Sequence, residues 1–234
     1  MCARATISHS ATGNLFVNVT EALRARTSIR NFLDTPVDDA AIRDLLRDAS
    51  WAPSGGNLQP WRIYVINGPV MQRLHDFLNE REEQATPAYP VYPPNLKEPY
   101  RSSRYKVAED MYALLGIPRE DKPARLAHVA RNFTFFDAPT ALFCFTDRIM
   151  GPPQWADLGM FLQSFMLLAQ SAGLSTCAQE AWARKSEAVT DFVQAPPELT
   201  LFCGLALGHA NPDAPVNSLR TERAQLDEWT TFVE

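Results

Sequence analysis

The sequence predicts an α+β sandwich, one central sheet with helices on both of its faces. Three observations predict it. Segments with strand character recur at 61–67, 139–146, 174–178 and 199–207, and stretches of helical periodicity separate them. The second and fourth of these are continuous apolar runs, as strands covered on both faces are. The chain has 234 residues, 46% hydrophobic and 21% charged, which suits one domain with its own core.

The elements follow in order. Residues 1–14 are polar and small and read as a loose arm, without the apolar stretch of a signal peptide. A short helix is expected at Val19–Arg26. After Pro36, Asp38 can cap a second helix, in which Ile42, Leu45, Leu46 and Ala49 form one apolar stripe. It should stop near Trp51, because Pro53 and Gly55-Gly56 follow. Trp61–Asn67 alternates as a strand, and 70–83 is an amphipathic helix. Five prolines and three tyrosines then fall within Thr86–Tyr100, where no regular element survives. The tyrosines argue for an ordered excursion packed on something. Helical pieces near Ser103–Leu115 and Lys122–Ala130 complete an insertion at about 85–132, expected to cover a site within a single domain of 15–234. Trp155–Ser171 is apolar on nearly every side, which suggests a core helix or a subunit interface. Ser186–Gln194 is a last helix, stopped by Pro196-Pro197. Residues 211–234 hold few apolar anchors and read as an arm laid over a partner.

Composition excludes several functions. No apolar run reaches the ~18 residues of a membrane helix. The net charge of −5 argues against nucleic acid. Cys2, Cys144, Cys177 and Cys203 form no CxxC pair, and the four histidines form no HExxH, so no metal site is expected. A reduced, cytoplasmic enzyme is the default. Four of the 22 basic residues are lysines, so eighteen are arginines. Genome composition explains most of that bias, but arginine is also the better fork for phosphate or carboxylate.

Three segments look built to hold something. In Arg26-Thr27-Ser28-Ile29-Arg30, alternate residues point the same way when the chain is extended, so two guanidiniums and a hydroxyl converge as for an anion. The same residues also read as surface arginines at a helix end. Pro53-Ser54-Gly55-Gly56-Asn57-Leu58-Gln59-Pro60-Trp61 offers glycines for close backbone approach and three polar side chains, or is simply a tight turn. Arg220 and Arg223 lie in the C-terminal arm, as ligands or as a solvated face. No GxGxxG, P-loop or GxSxG elbow is present.

Together, R-x-S-x-R, P-S-G-G-N-x-Q-P-W and a late arginine after D-A-P-V-N resemble the FMN-dependent nitroreductase family, from about Ala22 to the C-terminus. The resemblance implies a three-layer sandwich with a mixed central sheet, in a domain-swapped type of homodimer with an FMN at each interface. It implies that Arg26, Thr27 and Ser28 bind the phosphate and ribityl side, with Thr27 where a second basic residue is common. Arg30 lies near the pyrimidine edge, and Arg220 or Arg223 completes the phosphate site. Pro53, Ser54, Gly55 and Asn57 reach the flavin from the other subunit. A Glu-Gly pair that presents backbone donors toward flavin N5 is matched by Gln179, Glu180 and Ala181, with alanine in place of glycine. Asn132 is the nearest candidate for a further contact.

The implied activity is two-electron, ping-pong hydride transfer from NAD(P)H through FMN to a nitroaromatic or quinone. Alternatives on the same fold are a reductive dehalogenase, an enone reductase, a flavin-fragmenting enzyme or a non-catalytic FMN-binding protein.

Overall fold

The computed structural model describes residues 18–82, 84 and 86–233. The expected N-terminal arm lies outside the described residues. Four strands, β1 (Arg62–Asn67), β2 (Thr140–Asp147), β3 (Ser175–Gln179) and β4 (Leu199–Gly208), form one sheet in the order β1-β2-β4-β3. All three pairings between strands are antiparallel. Among the described residues the sheet is mixed only through the parallel bridge of Ser28 to Thr176 on β3.

Two apolar clusters cover the two faces. Along β2, Ala141, Phe143 and Phe145 enter one cluster, while Leu142 and Cys144 enter the other, the period of two of a doubly buried strand. On β4 the alternation breaks. Leu199 and Leu201 lie with the first cluster, but Cys203, Leu205 and Leu207 lie with the second. The register explains this: Cys144 faces Cys203 while Phe145 faces Leu201, so Phe202 is the extra residue of a β-bulge. A one-residue insertion turns the following side chains to the opposite face.

Helices pack on both faces. α1 (Val19–Ala25) opens with a capping box, in which Asn18 Oδ1 accepts from the Glu21 N–H and Glu21 Oε2 from the Asn18 N–H, both at 3.0 Å. α2 (Asp39–Ala49) buries Ile42, Leu45 and Ala49, and Trp51 just beyond it is 88% exposed. α3 (Pro69–Asn79) ends before the expected position 83. Glu80 and Glu82 follow there, and negative charge opposes the dipole at a helix C-terminus.

α6 (Pro152–Ser171) begins earlier than expected, with two prolines in its first turn. It buries Leu158, Phe161, Leu162, Phe165 and Ala169, while Met160 stays exposed. α7 (Ser186–Val193) closes the other face.

The proline-rich excursion is ordered against the sheet. The Gln84 and Ala88 N–H groups donate to the carbonyls of Arg184 (3.1 Å) and Ala183 (2.9 Å). The Tyr89 hydroxyl donates to the carbonyl of Phe202, and its ring meets Trp155 edge-on at 5.5 Å. Phe202 is the bulged residue, so the tyrosine satisfies a carbonyl beside the point where β3 stops. α4 (Tyr100–Leu114) and α5 (Lys122–Ala130) follow and are joined by a two-bond contact of Arg125 with Glu109, at 2.6 and 3.0 Å.

Inside this insertion His128 is buried between the rings of Tyr112 and Phe136, with Nε2 unpartnered. Burial, helped by the charges of Arg131 and Arg30, pushes its pKa down to about 4.

Two predictions follow from the packing. Tyr89→Phe strands the Phe202 carbonyl and should lower stability by about 1–3 kcal/mol, read by urea denaturation. An unchanged midpoint would show that the hydroxyl is not the anchor.

The imidazole of His128 takes up its proton near pH 6.5 in the unfolded chain but only near 4 in the folded one. Its contribution to stability is therefore complete above about pH 6.5 and is lost as the pH falls toward 4. Denaturation between pH 7 and 5.5 should show this slope, and His128→Phe should flatten it. Equal slopes would reject the assignment.

Candidate functional site

The site begins where α1 ends. Arg26 is its C-cap, and the chain then runs extended beside β3, with the Ile29 N–H donating to the carbonyl of Thr176 at 3.1 Å. Ile29 points into the core, so Arg26, Ser28 and Arg30 are left half-buried on the other side. Farther on, Phe32 donates to the carbonyl of Phe136 and Leu33 to that of His209, at 3.1 and 2.9 Å.

The C-terminal arm is sewn to this segment. Asn217 Oδ1 accepts from the Arg30 N–H at 2.9 Å. Its Nδ2 donates to the carbonyls of Asn31 (2.8 Å) and Asn211 (2.9 Å). Asn211 Nδ2 adds a bond to Asn31 Oδ1 at 2.8 Å, and Thr27 Oγ1 donates to the Leu219 carbonyl at 3.3 Å.

The result is a cavity of about 470 Å³ lined by Arg24, Arg26, Arg30, Arg220 and Arg223, with the hydroxyls of Thr27, Ser28 and Thr221. Among the described residues no carboxylate lines it. Among the described residues none of the five guanidiniums is ion-paired, and Arg26 Nε is buried with no partner. Arg220 and Arg223 are held by nearby carbonyls: Asn217 (3.1 Å) and Leu219 (2.9 Å) for the first, Thr221 (3.0 Å) and Glu222 (2.9 Å) for the second. Five like charges facing one space is a costly arrangement unless an anion occupies it.

At the far end of β3, Gln179 is buried. Its Nε2 donates to the carbonyl (2.9 Å) and Oδ1 (3.2 Å) of Asn132, and its Oε1 has no partner. Glu180 is exposed and opens a short 3₁₀ helix, Glu180–Lys185. Ala181 is absent from the left-handed region of φ, so the backbone here does not require the glycine that alanine replaces. Burial raises the thiols of Cys177 and Cys144 to about 11 and about 12, which makes both poor nucleophiles.

The Pro53–Asn57 segment stands apart. Its Gly55–Asn57 turn puts Gly56 and Asn57 at φ +57°, and the Gly55 N–H donates to Oδ2 of the buried Asp157 on α6 at 3.2 Å. Ser54 Oγ accepts from the Gln59 N–H at 3.0 Å. Pro53, Gly55 and Asn57 are exposed, and none of these residues lines the arginine cavity. Within the chain the structure therefore joins Arg26, Thr27, Ser28, Arg30, Arg220 and Arg223, and leaves Pro53, Ser54, Gly55 and Asn57 elsewhere.

Sequence reasoning missed Arg24, Thr221 and the two carboxamides that sew the site together. Asn217 lies in D-A-P-V-N, but its partners at residues 30 and 31 lie more than 180 residues away.

The chain is 36% identical to a nitrobenzene nitroreductase of Ectopseudomonas oleovorans, over 92% of this chain and 96% of that protein. It is also 36% identical to a 4-nitrobenzoate reductase of Pseudomonas putida, over 89% and 92%. Its fold superposes on the FMN- and NADPH-dependent nitroreductase NfnB of a Sphigopyxis strain with a TM-score of 0.89, at 44% identity over 93% of this chain and 99% of the other. The FMN-dependent NfnB of Mycobacterium smegmatis, solved with NADPH, gives 0.86 at 25% identity over 92% and 97%. The model of the nitroreductase family matches residues 23–209, which takes in R-x-S-x-R, the glycine turn and every strand of the sheet. The chain belongs to the nitroreductase family.

Proposed function

We propose that this protein is an FMN-dependent nitroreductase that takes its electrons from NAD(P)H and passes them to nitroaromatics or quinones. The observation that carries this is the cavity of five arginines without a carboxylate. The residues present fit FMN on two counts. A phosphate monoester supplies the acceptor that the buried Arg26 Nε lacks, and the unpartnered Gln179 Oε1 can accept from a ligand N–H or O–H.

In this reading Arg26, Arg220 and Arg223 hold the phosphate, with Thr27 and Ser28 beside the ribityl chain. Arg30 places positive charge near the pyrimidine edge and favours electron-rich states of the ring. Gln179 and Glu180 lie along the ring at the end of β3. FMN, when bound, supplies the hydride chemistry, and the chain's own residues bind it, orient it and exclude water. Aryl nitro acceptors agree with the substrates named for the relatives from Ectopseudomonas oleovorans and Pseudomonas putida.

The working unit is proposed to be a homodimer built from one domain of residues 15–234. Pro53, Gly55 and Asn57 of the glycine turn are exposed and do not line their own chain's arginine cavity, as suits a segment that serves a second copy. Apolar surface supports this: Val19 is 75%, Trp229 69% and Phe232 79% exposed. No described helix is long and apolar enough to cross a membrane. The insertion at 85–132 is proposed to cover the site, since it is pinned at the β4 bulge at one end and reaches the arm at the other, where Lys106 meets Glu222 at 3.6 Å.

Arg26→Ala should weaken FMN binding by about 1.5–3 kcal/mol, or about 10- to 150-fold, by fluorescence titration of the apoprotein. Retention as tight as wild type would remove Arg26 from the phosphate site. The double variant Trp229→Ala/Phe232→Ala should shift the wild-type dimer toward monomer in light scattering and lose flavin with it. A wild-type monomer that holds FMN would reject the shared site.

A further inference from the structure

We infer that Trp182 is a positioning residue, one that fixes the direction of the backbone N–H groups of Glu180 and Ala181. The inference rests on the proposed flavin site and goes beyond it.

The Trp182 side chain is fully buried, yet it belongs to the short turn that follows β3 directly. Its indole lies on Gly204, the register partner of Gln179 at the last β3–β4 pair. A Cβ at position 204 would come within 2.3 Å of Trp182 Cδ1 and 2.6 Å of Nε1, so only glycine provides this seat. The turn is thereby folded back over the sheet at the point where the strand ends. The leading N–H groups of such a turn, those of Glu180 and Ala181, have no acceptor inside their own helix.

The other face of the indole is closed by Phe135, stacked at 4.6 Å and 29°. Phe133 and Phe143 meet it edge-on at 5.3 and 4.9 Å. Phe135 reaches this position through an unusual backbone. Phe135, Phe136 and Asp137 have φ of +51°, +55° and +70°, three consecutive non-glycine residues in the left-handed region. Such a conformation is unfavourable for a residue with a Cβ and persists where the surroundings over-determine it, above all at functional sites. The same 131–137 segment holds Gln179 through Asn132. Two independent contacts, one to the residue before Glu180 and one to the residue after Ala181, thus lock the pair from both sides.

A tryptophan kept only for core packing would normally find a partner for its N–H. Trp182 Nε1 is buried without one. Its placement is governed by the seat and the stack, not by its own polar group.

The test uses full-length protein and the variants Trp182→Leu and Trp182→Phe. FMN affinity should stay within about threefold of wild type for both, because the arginine cavity is untouched. In Trp182→Leu apoprotein, hydrogen exchange should rise in the 180–186 peptide and not in the 26–30 peptide. The absorption band of its bound flavin should shift, and anaerobic bleaching by NADPH should slow by about 100-fold, the scale of a misplacement of about 1 Å. Trp182→Phe, which keeps the stack on Phe135, should restore the rate to within about tenfold.

A folded, flavin-loaded Trp182→Leu with wild-type exchange, spectrum and rate overturns the inference. If that variant does not fold, a Trp182→Phe protein indistinguishable from wild type in spectrum and rate overturns it as well. Wild-type protein that binds no FMN overturns the functional reading itself, a result separable from either of these.

Discussion

A carboxamide at position 217 holds the backbone of residues 30 and 31, and through it two groups of arginines from opposite ends of the chain share one cavity. The electrostatics oppose this arrangement. Five guanidiniums face one space with no carboxylate among the described residues that line it, and each could move away into water if the two segments were free. Three hydrogen bonds from one side chain, reinforced by Asn211 and Thr27, keep the arm in place. Neutral amides suit this task, because they fix the geometry without cancelling the charge that an anion is to meet. Arg220 and Arg223 are themselves exposed, so the arm that carries them is held by these bonds and by the buried side chains of Val216 and Leu219.

The second constraint lies at the other end of the same edge. β3 is short, and β4 continues beyond it through a bulge at Phe202. A bulge leaves a carbonyl without a ladder partner, and the insertion meets that need with the Tyr89 hydroxyl. The strand break, the bulge and the attachment of the insertion are thus one feature seen from three elements. The Glu180 turn begins within it, folded onto Gly204 by Trp182. An irregularity in the sheet has become the place where backbone donors leave the ladder and face outward.

Much of this was legible beforehand. Apolar alternation, continuous apolar runs and helical stripes placed all four strands and every long helix, because the faces of this sheet are buried and burial imposes a pattern on the residues. The R-x-S-x-R segment was legible as an anion site because an extended backbone fixes which side chains share a side. The end of the third helix was not legible, because the polar run Asn79-Glu80-Arg81-Glu82 carries no proline or glycine to mark a stop. The surroundings of Gln179 were not legible either, because its partner Asn132 comes from a segment whose left-handed backbone no local propensity predicts for phenylalanine.

The sequence by itself determined the layers, the family and the identity of the arginines, all of which depend on local pattern or on motifs read along the chain. Tertiary structure alone decided that both Arg220 and Arg223 line the cavity, that Arg24 joins them, and that the glycine turn turns away from it. Those outcomes depend on contacts between residues more than 180 positions apart and on which side of a sheet edge each segment lies. Neither quantity is carried by any short stretch of residues.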